Sequence, residues 1–222
     1  MKTTGFFDNH FTIAGSEIER ESFAIIDAEA GAHTYSPEQW QVVRRMIHAT
    51  ADFELNGLTQ FHYAAIPAAT AALQHGTART LIADVAMIVA GLSTSRIQQF
   101  HLKPHQFIND DDVIQAAHRE GSTRATQAMR KAARLGLLDN ALIGIGNAPT
   151  ALLELLRLID EEAIRPALII GIPVGFVAAA ESKIQLTTVM DVPWISVKGR
   201  KGGSTLVVAA FHALFALANT HD

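Results

Sequence analysis

The sequence predicts a three-layer α/β/α domain whose mostly parallel sheet has about five strands. Short apolar runs alternate with amphipathic helical segments, a pattern typical of parallel strands covered by helices on both faces. The stretches after these runs are rich in glycine and polar residues, as at the strand ends where α/β proteins bind ligands. Because no linker or internal repeat divides the 222 residues, we expect one domain over 1–222, with roughly the first 15 residues peripheral.

The first third of the chain predicts three helices. The first begins near residues 16–19, which have capping-box spacing, and ends at Gly31. The second begins at Ser36, a serine cap that precedes a proline. The third covers about residues 66–75.

From residue 80 onward the pattern predicts strands alternating with helices. The predicted strands are 80–83, 141–145, 167–171 and 194–197, with a weaker one near 106–108. The predicted helices are 111–120, 122–135, 149–161, 177–189 and 203–218. Their alternation predicts that successive strand ends meet at one edge of the sheet.

Composition excludes several classes of function. The net charge is −4, whereas a nucleic-acid-binding protein usually has a basic excess. The absence of cysteine excludes disulfides, iron–sulfur clusters, thiolate zinc sites and cysteine nucleophiles. No His-Glu-x-x-His zinc motif, secretory signal or membrane-spanning run is present, so we expect no metal site, no membrane contact and a cytoplasmic location.

Polar groups at the predicted strand ends are candidates for ligand binding. Residues 199–204, which include Arg200, form a glycine-rich turn before a helix, which indicates either an anion site or an ordinary turn. Asp84 follows the first strand of this series, Arg124 begins a helix, and Lys183 lies near a strand end. The turn at 144–150 does not fit a dinucleotide loop, because Pro149 stands where the third glycine is needed.

His48 lies on the second predicted helix, with Arg44 and Asp52 four residues before and after it. That spacing would place a carboxylate one turn away, where it could fix the imidazole tautomer. Most helical histidines are surface or core residues, however, and Ser22 on the first helix is by itself an ordinary helical serine.

Seven segments, taken in order, resemble those of one enzyme family. They are 21–26, 45–50, 122–124, 145–152, 165–171, 173–183 and 199–204, with the specific strings Gly-Asn-Ala-Pro-Thr-Ala at 146–151 and Val-Gly-Phe-Val-Ala-Ala-Ala-Glu-Ser-Lys at 174–183. The family is that of precorrin-8X methylmutases of cobalamin biosynthesis. Residues 100–107 have no clear counterpart in it.

The resemblance implies a flavodoxin-like fold, a homodimer with sites near its interface, and no cofactor. The implied reaction moves a methyl group from C-11 to C-12 of a tetrapyrrole, precorrin-8X or cobalt-precorrin-8. The family's catalytic histidine corresponds to His48, and its substrate-binding serine corresponds to Ser22.

The chemistry of such a substrate fits the candidate residues. Its acetate and propionate arms need cations, which Arg124, Lys183, Arg200 and Lys201 would supply, and Asp84 completes the expected substrate-binding set. Glycines at the strand ends, such as Gly146, would let the flat ring approach the backbone.

Two other functions stay open at this point. One is a corrinoid carrier without catalysis, which would need the cations but not His48. The other is a nucleotide-dependent enzyme on a related fold, which the failed dinucleotide pattern disfavours. The sequence does not decide whether the natural substrate contains cobalt.

Overall fold

The structure is a computed structural model that describes residues 12–219. Its strands are β1 (Thr59–Phe61), β2 (Thr80–Ala83), β3 (Lys103–His105), β4 (Leu142–Ile145), β5 (Leu168–Gly171) and β6 (Trp194–Val197). Its helices are α1 (Ile13–Glu29), α2 (Pro37–Thr50), α3 (Leu55–Leu58), α4 (Ala65–Gln74), α5 (Ala86–Gly91), α6 (Thr94–Gln99), α7 (Asp111–Glu120), α8 (Arg124–Arg134), α9 (Pro149–Glu162), α10 (Ala179–Leu186) and α11 (Ser204–Asn219). None of these helices is long and apolar enough to cross a membrane.

The strands form one sheet in the order β1-β6-β5-β4-β2-β3. The strands β2 to β6 are parallel, and counted among themselves they have the flavodoxin-like order 2-1-3-4-5. This confirms the predicted fold class. The count of about five is one short, because β1 adds an antiparallel strand beside β6. With only three residues, β1 is too short to show a strand pattern in the sequence.

Two apolar clusters hold the layers together, one on each face of the sheet. Leu168 and Ile170 point into the cluster shared with α2, α4 and α11, whereas Ile169 points into the cluster shared with α8, α9 and α10. Successive side chains of a strand face opposite sides. Since both sides are covered, the strand is apolar throughout, as the sequence indicates.

Several boundaries differ from the predictions. Helix α1 begins at Ile13, where the hydroxyl of Thr12 accepts the N–H of Gly15, so the capping-box spacing at 16–19 lies inside the helix. The weak strand is β3 at 103–105 instead of 106–108, and its Pro104 is tolerated at a sheet edge. Helix α10 begins at Ala179, two residues later than predicted, and residues 172–178 before it form an irregular loop.

Helix α2 begins as predicted. The Ser36 hydroxyl accepts the N–H of Gln39, while the Gln39 side chain accepts the N–H of Ser36, which completes a capping box. Its apolar face, which includes Val43 and Ile47, packs in the core against α11. The cap therefore determines where α2 begins, and packing against α11 determines where α2 lies in the fold.

A partly buried histidine joins α11 to the start of α6. The Nε2 atom of His212 accepts the N–H of Ser93 at 3.0 Å, so the ring must stay neutral to serve as acceptor. Burial, together with the positive charges of Arg45 and Arg96, lowers the pKa of His212 to about 4, whereas Glu19 acts in the opposite direction. The unfolded chain therefore binds a proton at this position more readily than the folded one.

We expect His212 to make stability depend on pH. Its contribution is complete above the unfolded pKa of about 6.5 and is lost as the pH falls from there toward 4. The variant His212→Gln keeps an acceptor for Ser93 but does not titrate. Lowering the pH from 7.5 to 4.5 should reduce the unfolding free energy of the wild type by about 2–3 kcal/mol more than that of the variant. Urea unfolding at both pH values measures it. The exposed His75→Gln is the control, and a difference that is constant with pH would contradict the prediction.

Candidate active site

Ser22 and His48 form a hydrogen-bonded pair between α1 and α2. The Oγ atom of Ser22 lies 2.7 Å from Nδ1 of His48. The ring of Phe23 meets the imidazole edge-on, with 5.3 Å between the ring centroids. Two neighbouring residues of α1 therefore orient one imidazole of α2. When the hydroxyl donates to Nδ1, the neutral ring carries its proton on Nε2, where it is available to a ligand.

The pair lies in an open apolar groove of about 340 Å³. Its other walls are formed by Ile18, Glu21, Ile25, Ile26, Glu29, Ile47, Ala51 and Phe53. Ile18 is 67% exposed and Ile25 is 49% exposed, although both are apolar. The groove thus offers a ligand a mostly apolar surface around the Ser22–His48 pair, with Glu21 and Glu29 also among its lining residues, but the chain alone does not enclose it.

Of the two predicted neighbours of His48, Arg44 shares its helix and lies one turn before it, whereas Asp52 does not. Helix α2 ends at Thr50, and Ala51 has a left-handed backbone with φ 55°, so Asp52 lies beyond the helix. Arg44 instead pairs with Asp27 on α1 at 2.7 Å. The expectation that Asp52 fixes the tautomer is therefore wrong. Ser22, which is far from His48 in sequence, makes the contact with Nδ1.

A buried carboxylate fixes the carboxyl edge of the sheet. Asp84 follows β2 and is 1% exposed. It accepts the N–H groups of Gly146, Asn147 and Ala148 at 3.1, 2.8 and 2.7 Å. Burial raises the pKa of Asp84, and these three bonds act in the opposite direction. Asp84 is thus engaged with the turn after β4, at the point where the strand order reverses between β2 and β4.

The turns after β4, β5 and β6 are joined to each other by backbone hydrogen bonds. These run from the N–H of Gly203 to the carbonyl of Ile172 (2.9 Å), from Val174 to Gly146 (3.2 Å) and from Gly175 to Arg200 (3.2 Å). The three turns therefore form one connected edge.

Two glycines allow this close approach of turn to turn. A Cβ atom at Gly146 would lie 2.7 Å from the nitrogen of Ser204, and one at Gly202 would overlap the carbonyl oxygen of Ile172. The space beside Gly146 is thus filled by the protein's own backbone. The expectation that Gly146 lets a flat ring approach the backbone is wrong, because its role is to bring two turns together.

Two of the predicted cations bind partners within the protein itself. Lys183 is 2% exposed, and its Nζ donates to the carbonyl of Lys201 at 2.5 Å. Burial lowers the pKa of Lys183 to about 8. The side chain of Lys201 pairs with Asp52 and Glu54 at 2.5 and 2.8 Å. Both ammonium groups therefore have partners within the chain.

The other two predicted cations are exposed. The guanidinium of Arg200 lies over the ring of Phe176, 5.4 Å from its centroid, and Phe176 is itself 85% exposed. Arg124 is the first residue of α8, and the hydroxyls of Thr123 and Thr150, 2.8 Å apart, tie that end of α8 to the start of α9. Arg124 and Arg200 thus lie at the carboxyl edge with their charges open to solvent.

The six predicted site residues therefore divide into three pairs. The structure joins Ser22 to His48, leaves Arg124 and Arg200 exposed, and places Asp84 and Lys183 beneath the loops. Sequence reasoning missed the contact of Phe23 with His48. Its position directly after Ser22 was a usable signal, but an apolar residue on a helix indicates packing first.

Over residues 12–219, no group of three or more histidine, aspartate or glutamate side chains is arranged to hold a metal ion. The polar groups that line the groove are the His48 imidazole, the Ser22 hydroxyl and the carboxylates of Glu21 and Glu29, whereas the guanidiniums of Arg124 and Arg200 are exposed at the carboxyl edge of the sheet. The imidazole and hydroxyl can donate hydrogen bonds, and guanidiniums bind carboxylates. The arrangement thus suits an organic ligand with a broad apolar body whose carboxylates lie toward the arginines.

Comparison with known proteins agrees with this chemistry. The family model described as Precorrin-8X methylmutase matches residues 17–217. The chain belongs to this family. It is 48% identical to the cobalt-precorrin-8 methylmutase of Leptospira interrogans over 213 residues, which cover 94% of this chain and 96% of the relative. It is 38% identical to the precorrin-8X methylmutase of Pseudomonas aeruginosa, with 90% and 94% covered. A solved precorrin-8x methyl mutase from Thermus thermophilus matches with a TM-score of 0.83 at 48% identity, covering 90% of this chain and 96% of that one.

Family membership decides among the functions that the sequence left open. The chain is a methylmutase, an isomerase of cobalamin biosynthesis, and not a nucleotide-dependent enzyme or a carrier without catalysis. The resemblance of its motifs to this family is confirmed.

We expect Asp84→Asn to destabilise the fold. An asparagine amide brings its own N–H₂ group toward three backbone donors, so at least one of the hydrogen bonds is lost in a buried place. The unfolding free energy should fall by about 2–4 kcal/mol. Urea unfolding measures the loss, with the exposed Asp160→Asn as the matched control. A loss no larger than that of the control would show that the carboxylate does not hold the turn.

Proposed function

We propose that this methylmutase moves a methyl group from C-11 to C-12 of cobalt-precorrin-8, with His48 as the hydrogen-bond or proton donor. The observation that carries the proposal is the Ser22–His48 pair in an open apolar groove. The cobalt form is favoured because the relatives from Leptospira interrogans, Priestia megaterium and Methanocaldococcus jannaschii, at 48%, 45% and 41% identity, are named for it. Turnover of substrate with and without cobalt tests this choice.

The proposed reaction needs no oxidant or co-reactant. One carbon–carbon bond to the methyl group breaks at C-11, one forms at C-12, and the ring double bonds shift, so product and substrate have the same atoms. The protein must therefore bind the ring and stabilise the charge that develops during migration. A donor on Nε2 of His48, directed at a ring nitrogen or carbon, would do this. General acid–base help of this kind contributes about 10²–10⁴-fold, or about 3–5 kcal/mol.

In this proposal Ser22, Arg124 and Arg200 contact the substrate. Ser22 holds Nδ1 of His48 and lines the same groove. The two arginines are exposed at the carboxyl edge, where planar guanidiniums can bind the carboxylates of the acetate and propionate arms. Asp84 and Lys183, which have internal partners, support the binding loops from below instead of contacting the arms.

We also propose that the enzyme is a homodimer with the His48 groove close to its interface. A tetrapyrrole macrocycle with its acetate and propionate arms is too large for a groove of about 340 Å³, and water-excluded chemistry needs a cover. The exposed apolar residues along α1, which are Ile13, Ile18 and Ile25, suit contact with a second copy. The cytoplasmic location stays a prediction from the sequence.

We expect His48→Ala to lose the rearrangement but keep corrinoid affinity, because the apolar groove and the arginines remain. Turnover should fall by about 10²–10⁴-fold, followed as the change in visible absorption when the conjugated ring rearranges. Product affinity, measured by fluorescence quenching, should change less than about fivefold, the effect of roughly 1 kcal/mol.

Ser22→Ala is the companion variant. It keeps the imidazole but frees its orientation, so its loss of turnover should be smaller than that of His48→Ala. Near-normal turnover in the His48 variant would overturn the assignment of the donor.

We expect Ile18→Glu to weaken both dimerisation and turnover, since it puts a charge among exposed apolar side chains beside the groove. Light scattering with detection of turnover in the same fractions measures both. Ile184→Glu is the control, because Ile184 is 66% exposed on α10, away from the groove. A wild-type enzyme that is monomeric and fully active would contradict the dimer.

A further inference from the structure

Lys201 is held at both of its ends. Its backbone carbonyl accepts the ammonium of the buried Lys183 at 2.5 Å, which fixes the main chain to the connected loop edge. Its own Nζ reaches Asp52 at 2.5 Å and Glu54 at 2.8 Å, beyond the end of α2. One residue therefore joins the carboxyl edge of the sheet to the segment that follows the helix of His48.

That segment is a wall of the groove. Ala51 and Phe53 line the groove together with His48, and Asp52 lies between them in the chain. One oxygen of Asp52 accepts the N–H of Glu54, which shapes the turn, and the other accepts Lys201. The ion pairs of Lys201 thus act directly on the piece of backbone that carries this wall.

The same segment contains an unfavourable backbone conformation. Ala51 has φ 55° and ψ 27°, a left-handed conformation that costs energy for a residue with a Cβ atom. Such a conformation persists only where surrounding contacts hold it. The contacts of Lys201 with Asp52 and Glu54 are placed to do so.

We propose that Lys201 is a positioning residue that holds residues 51–54 against the groove of His48, and that it does not bind a substrate carboxylate. This proposal rests on the proposed function of His48. Two carboxylates already surround one ammonium, so the local charge is negative and a third carboxylate would be repelled. Arg200, next to it in sequence, is exposed and without such partners among the described residues.

The exposure of the Lys201 side chain allows an experiment to distinguish a role in global stability from a role in positioning the groove wall. Its side chain is 39% exposed, and ion pairs this exposed contribute little to global stability. Its loss should therefore leave the thermal midpoint nearly unchanged while the wall beside His48 becomes mobile. Misplacement of a group near a reacting centre lowers kcat more than it lowers affinity.

The test compares three variants: Lys201→Met, the pair Asp52→Asn with Glu54→Gln, and the combination of all three substitutions. Asparagine at 52 can still accept the N–H of Glu54, so the turn is kept and only charge is removed. We expect the first two variants to lower kcat roughly tenfold with KM within about twofold, and the combination to be no worse. Lys201→Arg should restore most of the activity. Lys103→Met, at the opposite end of the sheet, is the control.

Hydrogen–deuterium exchange provides a readout that needs no turnover. Peptides covering 51–55 should exchange faster in Lys201→Met and in the doubly neutralised variant, but not in Lys103→Met. This measurement decides the positioning role even if the wild type fails to rearrange the proposed substrate, and that failure would count against the proposed function alone.

Two results would overturn the proposal. If Lys201→Met raises KM with kcat preserved, and neutralising Asp52 and Glu54 tightens binding, then Lys201 is a ligand for substrate carboxylates. If Lys201→Met leaves kcat, KM and the exchange of 51–55 at wild-type values, the residue has no role in the site.

Discussion

The carboxyl edge of this sheet depends on one buried carboxylate. Asp84 receives three N–H groups from the turn after β4, in a place where an ionised side chain without partners would not be tolerated. In open α/β sheets the reversal of strand order leaves a crevice that ligands commonly occupy. Here the carboxylate of Asp84 lies at this point; the turn after β5 is bonded to the turn that Asp84 holds, and the turn after β6 is bonded to the turn after β5. The three turns therefore form one connected edge, and His48, the proposed donor, lies in the helical layer beside it.

The candidate site therefore combines residues from the helical layer with residues from the carboxyl edge of the sheet. The imidazole and hydroxyl are on two packed helices, whereas the exposed Arg200 is on the loop after β6 and the exposed Arg124 begins α8. The two ion pairs of Lys201 connect the loop of Arg200 to the segment that follows α2. In the proposed function, a broad substrate contacts both parts at once. Its recognition thus depends on their relative placement as much as on the residues that touch it.

Sequence alone predicted most of the framework, because strand burial and helix capping are local signals. The runs 80–83 and 194–197 became β2 and β6 at their predicted bounds, and Ser36 caps α2 as expected. The partner of His48 was not predictable from spacing, since the helix ends before Asp52 and the contact comes from another helix. The internal hydrogen bonds of Asp84 and Lys183 were equally unpredictable from the sequence. Both read as polar groups at strand ends, and only the tertiary arrangement shows that their hydrogen bonds point inward.

The burial of α11 has a consequence for biosynthesis. This helix follows every other described element in the chain, yet it packs against α2 and the sheet, with Phe211 and Phe215 fully buried. Helix α2 leaves the ribosome long before α11, so the surface that it will bury stays uncovered during most of translation. Helix α2 cannot pack against α11 until α11 has left the ribosome. A nascent or prematurely terminated chain would therefore expose apolar surface to chaperones and proteases, and would carry no working site.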